Sequence, residues 1–175
     1  WDQAVLGSDG SLLVVGSRSD TDRPVSEQMK ASFLVKISWS NELVWSRQLT
    51  VHHDVEVLPN GEMLTLLLRA RTIPAIDPEA EVWDNPIGRL DNLGRLIEEI
   101  PLYDILTAPS SDFPVRITGR GSALGESWID ILHCNEIEVV GHSELASKHR
   151  IYSDDHVLIT SRSQDAVMVV NWRTR

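Results

Sequence analysis

A double-hairpin pattern that recurs three times restricts the possible folds of this chain more than any other feature. Its first half is a short apolar stretch, a small turn and a longer apolar run, found at residues 4–15, 56–67 and, more weakly, 150–160. Its second half is another hairpin, which follows each copy after a variable insertion, at residues 33–45, 87–97 and 166–172. Short apolar strands joined by turns such as Asn-Gly are typical of antiparallel hairpins. The sequence therefore predicts a four-stranded unit that occurs three times.

Four-stranded units at a spacing of roughly 40–50 residues are typical of β-propeller blades, which bury their faces by stacking on neighbouring blades. We therefore expect an all-β fold built from blades of four antiparallel strands, forming a single partial propeller domain over residues 1–175. The expected boundaries are blades at roughly 1–50, 51–102 and 126–175, with insertions near 71–85 and 103–125. Both insertions contain several prolines and are expected to be surface loops. A self-contained β-sandwich of two sheets is the alternative fold.

The number of blades suggests that further blades complete the propeller. About three blades fit into 175 residues, whereas closed propellers have four to eight. The chain also begins on Trp1 and ends at Arg175, within a turn that is expected to lead to another strand. The remaining blades of a longer chain are thus an expected partner of these residues.

Composition narrows the range of partners. The formal net charge of −10 and the pI of about 4.9 oppose nonspecific binding to nucleic acid or to anionic lipid. No apolar run approaches the ~20 residues that a membrane-spanning helix requires. Cys134 is the only cysteine, so no disulfide can form within the chain.

Two histidines stand at the beginning of a predicted strand. His52, His53 and Asp54 precede the alternating residues of 55–57, and the turn residues 59–61 close that strand. Side chains on the first residues of a strand lie at the rim of a sheet, where a rigid scaffold can direct them towards a ligand. This hairpin therefore carries candidate site residues.

A second group of candidates follows further along the chain. His133 and Asn135 are two residues apart, so on a strand their side chains point to the same side. The apolar run 157–160 leads to Arg162, which we expect to be buried at the end of a strand. A histidine, an asparagine and an arginine on neighbouring strands provide hydrogen-bond donors suited to an oxyanion.

Other interpretations of these residues remain open. His52 or His53 can bond a neighbouring carbonyl at a strand entrance, and Arg162 can pair with Asp130 or Asp165 as a clamp between blades. A metal site requires three or four convergent ligands, and the sequence identifies no such set around His52 and His53.

The same residues resemble a known family. His52-His53-Asp54 with the following Leu-Pro-Asn-Gly, the segment 130–135, and Ser161-Arg162 followed by a strand ending at Asn171 are similar, in this order, to the bacterial PAPS-independent aryl sulfotransferases. The resemblance implies a six-bladed propeller that transfers a sulfuryl group from an aryl sulfate to a phenol through a sulfohistidine. It implies no metal or cofactor, and it implies a periplasmic or extracellular location.

The resemblance also implies a role for each candidate residue. His53 or its neighbour His52 would bind the sulfate, with His133 as a second imidazole, Asn135 as an amide donor and Arg162 as the cationic anchor. The nucleophilic histidine of the family lies in a later blade, and no histidine follows Arg162 in this chain. These residues would thus supply only part of the site.

Two features depart from the family pattern. Glu136 stands where the family has a small residue, and residues 142–149 form an additional segment. A carboxylate in the pocket would repel sulfate, but strand alternation predicts that Glu136 points away from Asn135. A noncatalytic propeller that binds a ligand or a protein, and a structural repeat without a small-molecule site, are the alternative functions.

Overall fold

The computed structural model describes residues 2–17, 27, 31–123, 126–141 and 143–175. Over these residues the strands are β1 (Gln3–Leu6), β2 (Leu12–Ser17), β3 (Ser32–Ile37), β4 (Leu43–Gln48), β5 (Val51–Val57), β6 (Met63–Leu67), β7 (Arg69–Ile73), β8 (Asp77–Asp84), β9 (Ile87–Leu90), β10 (Leu96–Ile100), β11 (Arg120–Ala123), β12 (Glu126–Asp130), β13 (Cys134–Val139), β14 (His156–Ser161) and β15 (Ala166–Asn171). Helical segments with described bounds are α1 (Leu102–Leu106), α2 (Ser143–Ala146) and a 3₁₀ turn at Arg150–Tyr152. None of the described helices is long and apolar enough to cross a membrane.

Of the four sheets among the described residues, three arise from the repeated hairpins. Their strand orders are β1-β2-β3-β4, β10-β9-β6-β5 and β13-β14-β15, and all their pairings are antiparallel. Gly10, Gly61 and Gly94 have positive φ in the tight turns between paired strands, a conformation that glycine adopts without steric cost. The prediction of an all-β chain built from blade-type sheets is confirmed.

The fourth sheet, which we call the inserted sheet, has the order β11-β12-β8-β7. Its β7–β8 hairpin occupies residues 69–84, so the prediction that residues 71–85 form a surface loop is wrong. The acidic and proline-rich part of this segment is only the tip of the hairpin, and it continues into the buried residues Val82 and Trp83. Pro78 lies where the ladder between β7 and β8 shifts its register, a position at which a strand tolerates a missing N–H.

The second predicted insertion and the third predicted blade also differ in detail. Residues 103–125 include most of α1, an irregular stretch at 107–119 and the strand β11. Strand β12, at the beginning of the predicted blade 126–175, pairs in parallel with β8 and so belongs to the inserted sheet. The other three strands of that blade form the sheet β13-β14-β15.

Strand β5 occupies the centre of this arrangement. On one side it packs against β2, with Val15 and Leu34 of the first sheet in one apolar cluster with Val51, Val55 and others of the second. On the other side it packs against β13, and the second apolar cluster joins β6, β9, β13 and β14 to the inserted sheet. Sheets that bury their faces against their neighbours are typical of propeller blades. The contact between β5 and β13, which we call the blade junction, positions the candidate site.

Candidate functional site

A bulge in β5 presents His52 and His53. The strand pairs with β6 at Val51 and again from Val55, and the register shifts between these two residues. His53 has a φ of 66°, in the left-handed region, which costs a residue with a side chain roughly 1–2 kcal/mol. A β-bulge of this kind redirects side chains out of the regular alternation. Both imidazoles therefore leave the regular ladder at the edge that faces β13.

His133 reaches the same place from the turn between β12 and β13. Its φ of 44° is also left-handed. Asp130, the last residue of β12, accepts a hydrogen bond of 3.1 Å from the His133 backbone N–H and another from the ring Nδ1. The aspartate thus fixes both the backbone and the ring of His133.

The three imidazoles converge at the blade junction. Ring centroids lie 4.0 Å apart for His52 and His53, 5.3 Å for His52 and His133, and 5.7 Å for His53 and His133. One ring nitrogen from each residue lies within 4.8 Å of the others. We call this group the histidine cluster.

Hydrogen bonds determine which ring nitrogens carry protons. His52 Nδ1 lies 3.0 Å from the carbonyl oxygen of Cys134, which can only accept, so His52 Nδ1 carries the hydrogen. His133 Nδ1 donates to the Asp130 carboxylate in the same way. In their neutral forms both rings therefore keep the lone pair of Nε2 free for another partner.

Burial keeps two of the rings neutral. The pKa of His52 falls to about 4, mainly because the ring is buried and also because of the neighbouring His53 and His133, while Asp130 and the Cys134 carbonyl oppose the shift. Burial is also the main cause that lowers the pKa of His53, followed by His133. At neutral pH these two rings present uncharged nitrogens.

Asp54 bonds backbone groups of the blade junction rather than the imidazoles of the cluster. Its Oδ1 accepts a hydrogen bond of 2.8 Å from the backbone N–H of Val55, and its Oδ2 accepts one of 3.0 Å from Ile137 of β13. The Thr65 hydroxyl donates to the Asp54 carbonyl at 2.6 Å. This buried carboxylate therefore ties β5 to β13.

Asn135 and Glu136 both border a cavity of about 360 Å³ next to His53. Its lining consists of Asp2, Gln3, His53, Asp54, Asn135, Glu136 and Thr160. The expectation that Glu136 points away from Asn135 is wrong, because β13 bulges between Cys134 and Glu136 and so breaks the alternation. The cavity thus has an acidic lining beside the imidazoles.

Arg162 lies at the site through its backbone. Its N–H donates to the His133 carbonyl at 3.0 Å, but the residue belongs to the turn after β14 and is exposed, so the expectation of a buried arginine is wrong. The partners expected for a clamp are engaged elsewhere, since Asp165 lies 3.1 Å from the Arg116 guanidinium and Asp130 bonds His133. Arg162 therefore contacts the cluster through its backbone, and its side chain is exposed.

The sequence interpretation did not assign a positioning role at the site to two residues that have one. Asp130 stands three residues before His133, a spacing at which an aspartate often bonds a nearby backbone N–H, and this signal could have identified it. Asn85 is fully buried, accepts a hydrogen bond from the Cys134 N–H at 3.1 Å and donates to the Leu67 carbonyl at 3.2 Å. No local pattern marks Asn85, because both of its partners are distant in sequence.

The family assignment agrees with this architecture. The model of the family described as Arylsulfotransferase (ASST) matches residues 8–175, a range that includes all three residues of the histidine cluster. A comparison with curated proteins finds no match. Because the family model covers nearly the whole chain, the chain belongs to the arylsulfotransferase family.

Proposed function

We propose that the intact protein transfers a sulfuryl group from an aryl sulfate ester to a phenolic acceptor, and that this chain supplies part of the sulfate-binding site. The observation that carries the proposal is the convergence of His52, His53 and His133 in a member of the arylsulfotransferase family. We further propose, from the resemblance, that additional blades complete a six-bladed ring and that the protein works in a periplasm or outside the cell.

The proposed reaction proceeds in two balanced steps. An imidazole nitrogen attacks the sulfur, the bond from sulfur to the aryl oxygen breaks, and the phenolate leaves with the electron pair. The acceptor phenol then attacks the sulfur of the sulfohistidine, gives up its proton to a base or to solvent, and the N–S bond returns its electrons to the ring. The attacking histidine belongs to a later blade of the intact protein.

The residues of this chain would position the sulfuryl group. Transfers of this kind depend mainly on orientation and on donors directed at the peripheral oxygens. The Asn135 amide, which borders the cavity beside His53, and the exposed guanidinium of Arg162 are suitable donors. Asp2 and Glu136 repel an anion, so we expect the sulfuryl group against the imidazoles and Asn135 rather than deep in the cavity.

The test uses 4-nitrophenyl sulfate as the donor and phenol as the acceptor with the intact protein. Release of nitrophenolate that depends on phenol is expected, and Asn135→Ala should lower turnover by about 10²–10³-fold, the usual effect of removing one such donor. His133→Ala should lower it at least as much. The matched control is His149→Ala, because His149 is exposed and only caps the 3₁₀ turn that begins at Arg150.

Two results would overturn the proposal. The first is an intact protein that turns over no aryl sulfate, and the second is a set of Asn135 and His133 variants as active as His149→Ala. Sulfate binding without turnover, measured by calorimetry, would instead favour the noncatalytic binding module.

A further inference from the structure

We propose that His52, His53 and His133 form a binding site for a divalent transition-metal ion of the zinc class. This goes beyond sulfuryl transfer, since that reaction requires no metal, and it replaces the sequence-based expectation of a chain without a metal site. The ligands come from both sides of the blade junction.

The spacing of the ring nitrogens fits such an ion after a small closure. One nitrogen of each ring lies within 4.8 Å of the others. A zinc ion bonded to imidazole at about 2.1 Å holds tetrahedral ligands roughly 3.4 Å apart. Rotations of the rings by ~1 Å at the nitrogens therefore bring all three into bonding distance.

The hydrogen bonds around the cluster match those of metal-bound histidines. Such histidines almost always donate their other ring N–H to a carboxylate or to a backbone carbonyl. His133 Nδ1 donates to Asp130, and His52 Nδ1 donates to the Cys134 carbonyl at 3.0 Å. In both rings the hydrogen bond engages Nδ1, so Nε2 is available to bind an ion.

The backbone at the ligands is held on both strands. Asp54 joins β5 to the Ile137 N–H, and Asn85 accepts from the Cys134 N–H directly after His133. His53 and His133 keep left-handed φ values. Residues held in such strained conformations by their surroundings cluster at functional sites.

The surroundings favour a cation. Asp2, Asp54 and Glu136 line the cavity that borders His53. Both Asp54 oxygens already accept backbone hydrogen bonds, so three imidazoles are the protein ligands. Three histidines leave a fourth position for water or another small ligand, and imidazole ligands favour Zn²⁺, Cu²⁺ or Ni²⁺ over Mg²⁺ or Ca²⁺.

The test measures binding of Co²⁺ and Zn²⁺ to the intact protein after treatment with a chelator. Co²⁺ should give visible absorption bands that saturate at one ion per chain, and Zn²⁺ should displace it, whereas Mg²⁺ should not. Asp130→Asn should weaken binding by about 10–100-fold, as removal of such an outer partner usually does. Because the readout is metal binding, its failure is distinguishable from a failure of sulfuryl transfer.

Ligand variants give the sharper result. His53→Asn keeps a residue type that tolerates the left-handed conformation, so the fold is expected to survive while the affinity falls by at least about 100-fold. His149→Ala is the control and should bind as the wild type does. Binding that is equally tight in His53→Asn, His133→Ala and the wild type would overturn the proposal, as would a wild type without saturable Co²⁺ binding.

Discussion

The blade junction and the inserted sheet both bury polar side chains, but they satisfy them differently. At the junction, Asp54 and Asn85 direct their side-chain atoms at backbone groups of other strands. In the inserted sheet, Arg71 pairs with Asp84 at 2.9 Å and with Asp104 at 2.7 Å, so charges neutralise one another. The junction therefore leaves its imidazoles free to bind a ligand, whereas the inserted sheet uses its charges internally.

Backbone strain separates the two regions in the same way. His53 and His133 of the junction have positive φ, whereas none of the described residues of β7, β8, β11 and β12 does. The inserted sheet is instead stabilised by regular pairing and by the stacked rings of Trp83 and Trp128, whose centroids lie 4.7 Å apart. The difference supports the proposal that the junction binds a ligand.

The largest expected effect is the loss of the tie between β5 and β13. Asp54→Ala leaves the buried N–H groups of Val55 and Ile137 without an acceptor, at a cost of about 3 kcal/mol in the free energy of unfolding. Urea denaturation of Asp54→Ala measures this loss in the free energy of unfolding. Asp104→Ala, at an exposed carboxylate of the inserted sheet's ion pairs, should cost less than about 1 kcal/mol. Equal losses for the two variants would contradict the comparison.

Acid should destabilise the junction specifically. The unfolded chain protonates His52 below pH ~6.5, whereas the folded protein resists protonation until its pKa of about 4. Because the unfolded state binds more protons in this window, stability falls as the pH decreases from about 6.5 to 4. The loss at this residue between pH 7 and 5 is on the order of 2 kcal/mol.

Denaturation of the metal-free protein and of His52→Gln at both pH values isolates this contribution. The variant should lose less stability on acidification than the wild type, because it lacks the titrating ring. Identical losses would show that the burial of His52 does not control the acid response.

Removal of one charge in the inserted sheet should cause a loss of stability that becomes smaller as the pH falls, opposite to the acid response of the junction. Burial raises the pKa of Asp84, and Arg71 opposes that shift. Arg71→Gln removes the opposing charge, so the pKa of Asp84 rises further and stability at pH 7 falls by about 1–2 kcal/mol, a figure reduced because Arg71 is partly exposed. Part of this loss should be recovered at pH 5, where the Asp84 carboxyl more readily takes up a proton.

The Arg71→Gln variant also tests the division between the two regions. Its affinity for Co²⁺ and its turnover of aryl sulfate should equal those of the wild type, because Arg71 contacts neither the cluster nor its cavity. A variant that loses both binding and turnover would show that the inserted sheet contributes directly to the site.

The smallest expected effect on stability is at His53. Glycine adopts a positive φ freely, so the relief of strain in His53→Gly offsets the lost ring contacts, and the free energy of unfolding should stay within about 0.5 kcal/mol of the wild type. His52→Gly is the matched variant, and it should cost more than about 1 kcal/mol because it removes a buried ring and its hydrogen bond. Thermal unfolding of the His53→Gly and His52→Gly variants measures both changes in stability.

The sequence predicted those parts of the fold that depend on local patterns. Turn residues such as Asn60-Gly61 and the alternation around Val55 specify hairpins over a few residues, and the structure has them. The inserted sheet depends instead on a parallel pairing of Trp83 with Asp130 across 47 positions, and no local pattern encodes that partnership. The hairpin tip is acidic and contains proline, which is the composition of a loop. The segment was therefore wrongly predicted to be a surface loop.

At the candidate site, too, the correct predictions rest on local patterns and the wrong ones depend on tertiary contacts. His52 and His53 were identified because they stand at a strand entrance, and His133 because it lies two residues from Asn135 on a predicted strand; the structure places the three rings together. The expectation for Glu136 was wrong because one bulged residue reverses the sides of a strand, and that for Arg162 was wrong because β14 ends at Ser161, one residue before it. Bulges and strand ends depend on tertiary contacts that a single sequence does not display.

The blade junction also determines when the site can form during synthesis. His52 bonds a residue 82 positions later, and Asp54 bonds one 83 positions later. A ribosome that adds about 5–20 residues per second therefore needs roughly 4–16 seconds to deliver these partners after β5 has emerged. Until then the edge of β5 and its buried aspartate lack the strand that covers them, so the nascent chain exposes an unpaired edge that chaperones can recognise and that favours aggregation if translation stalls.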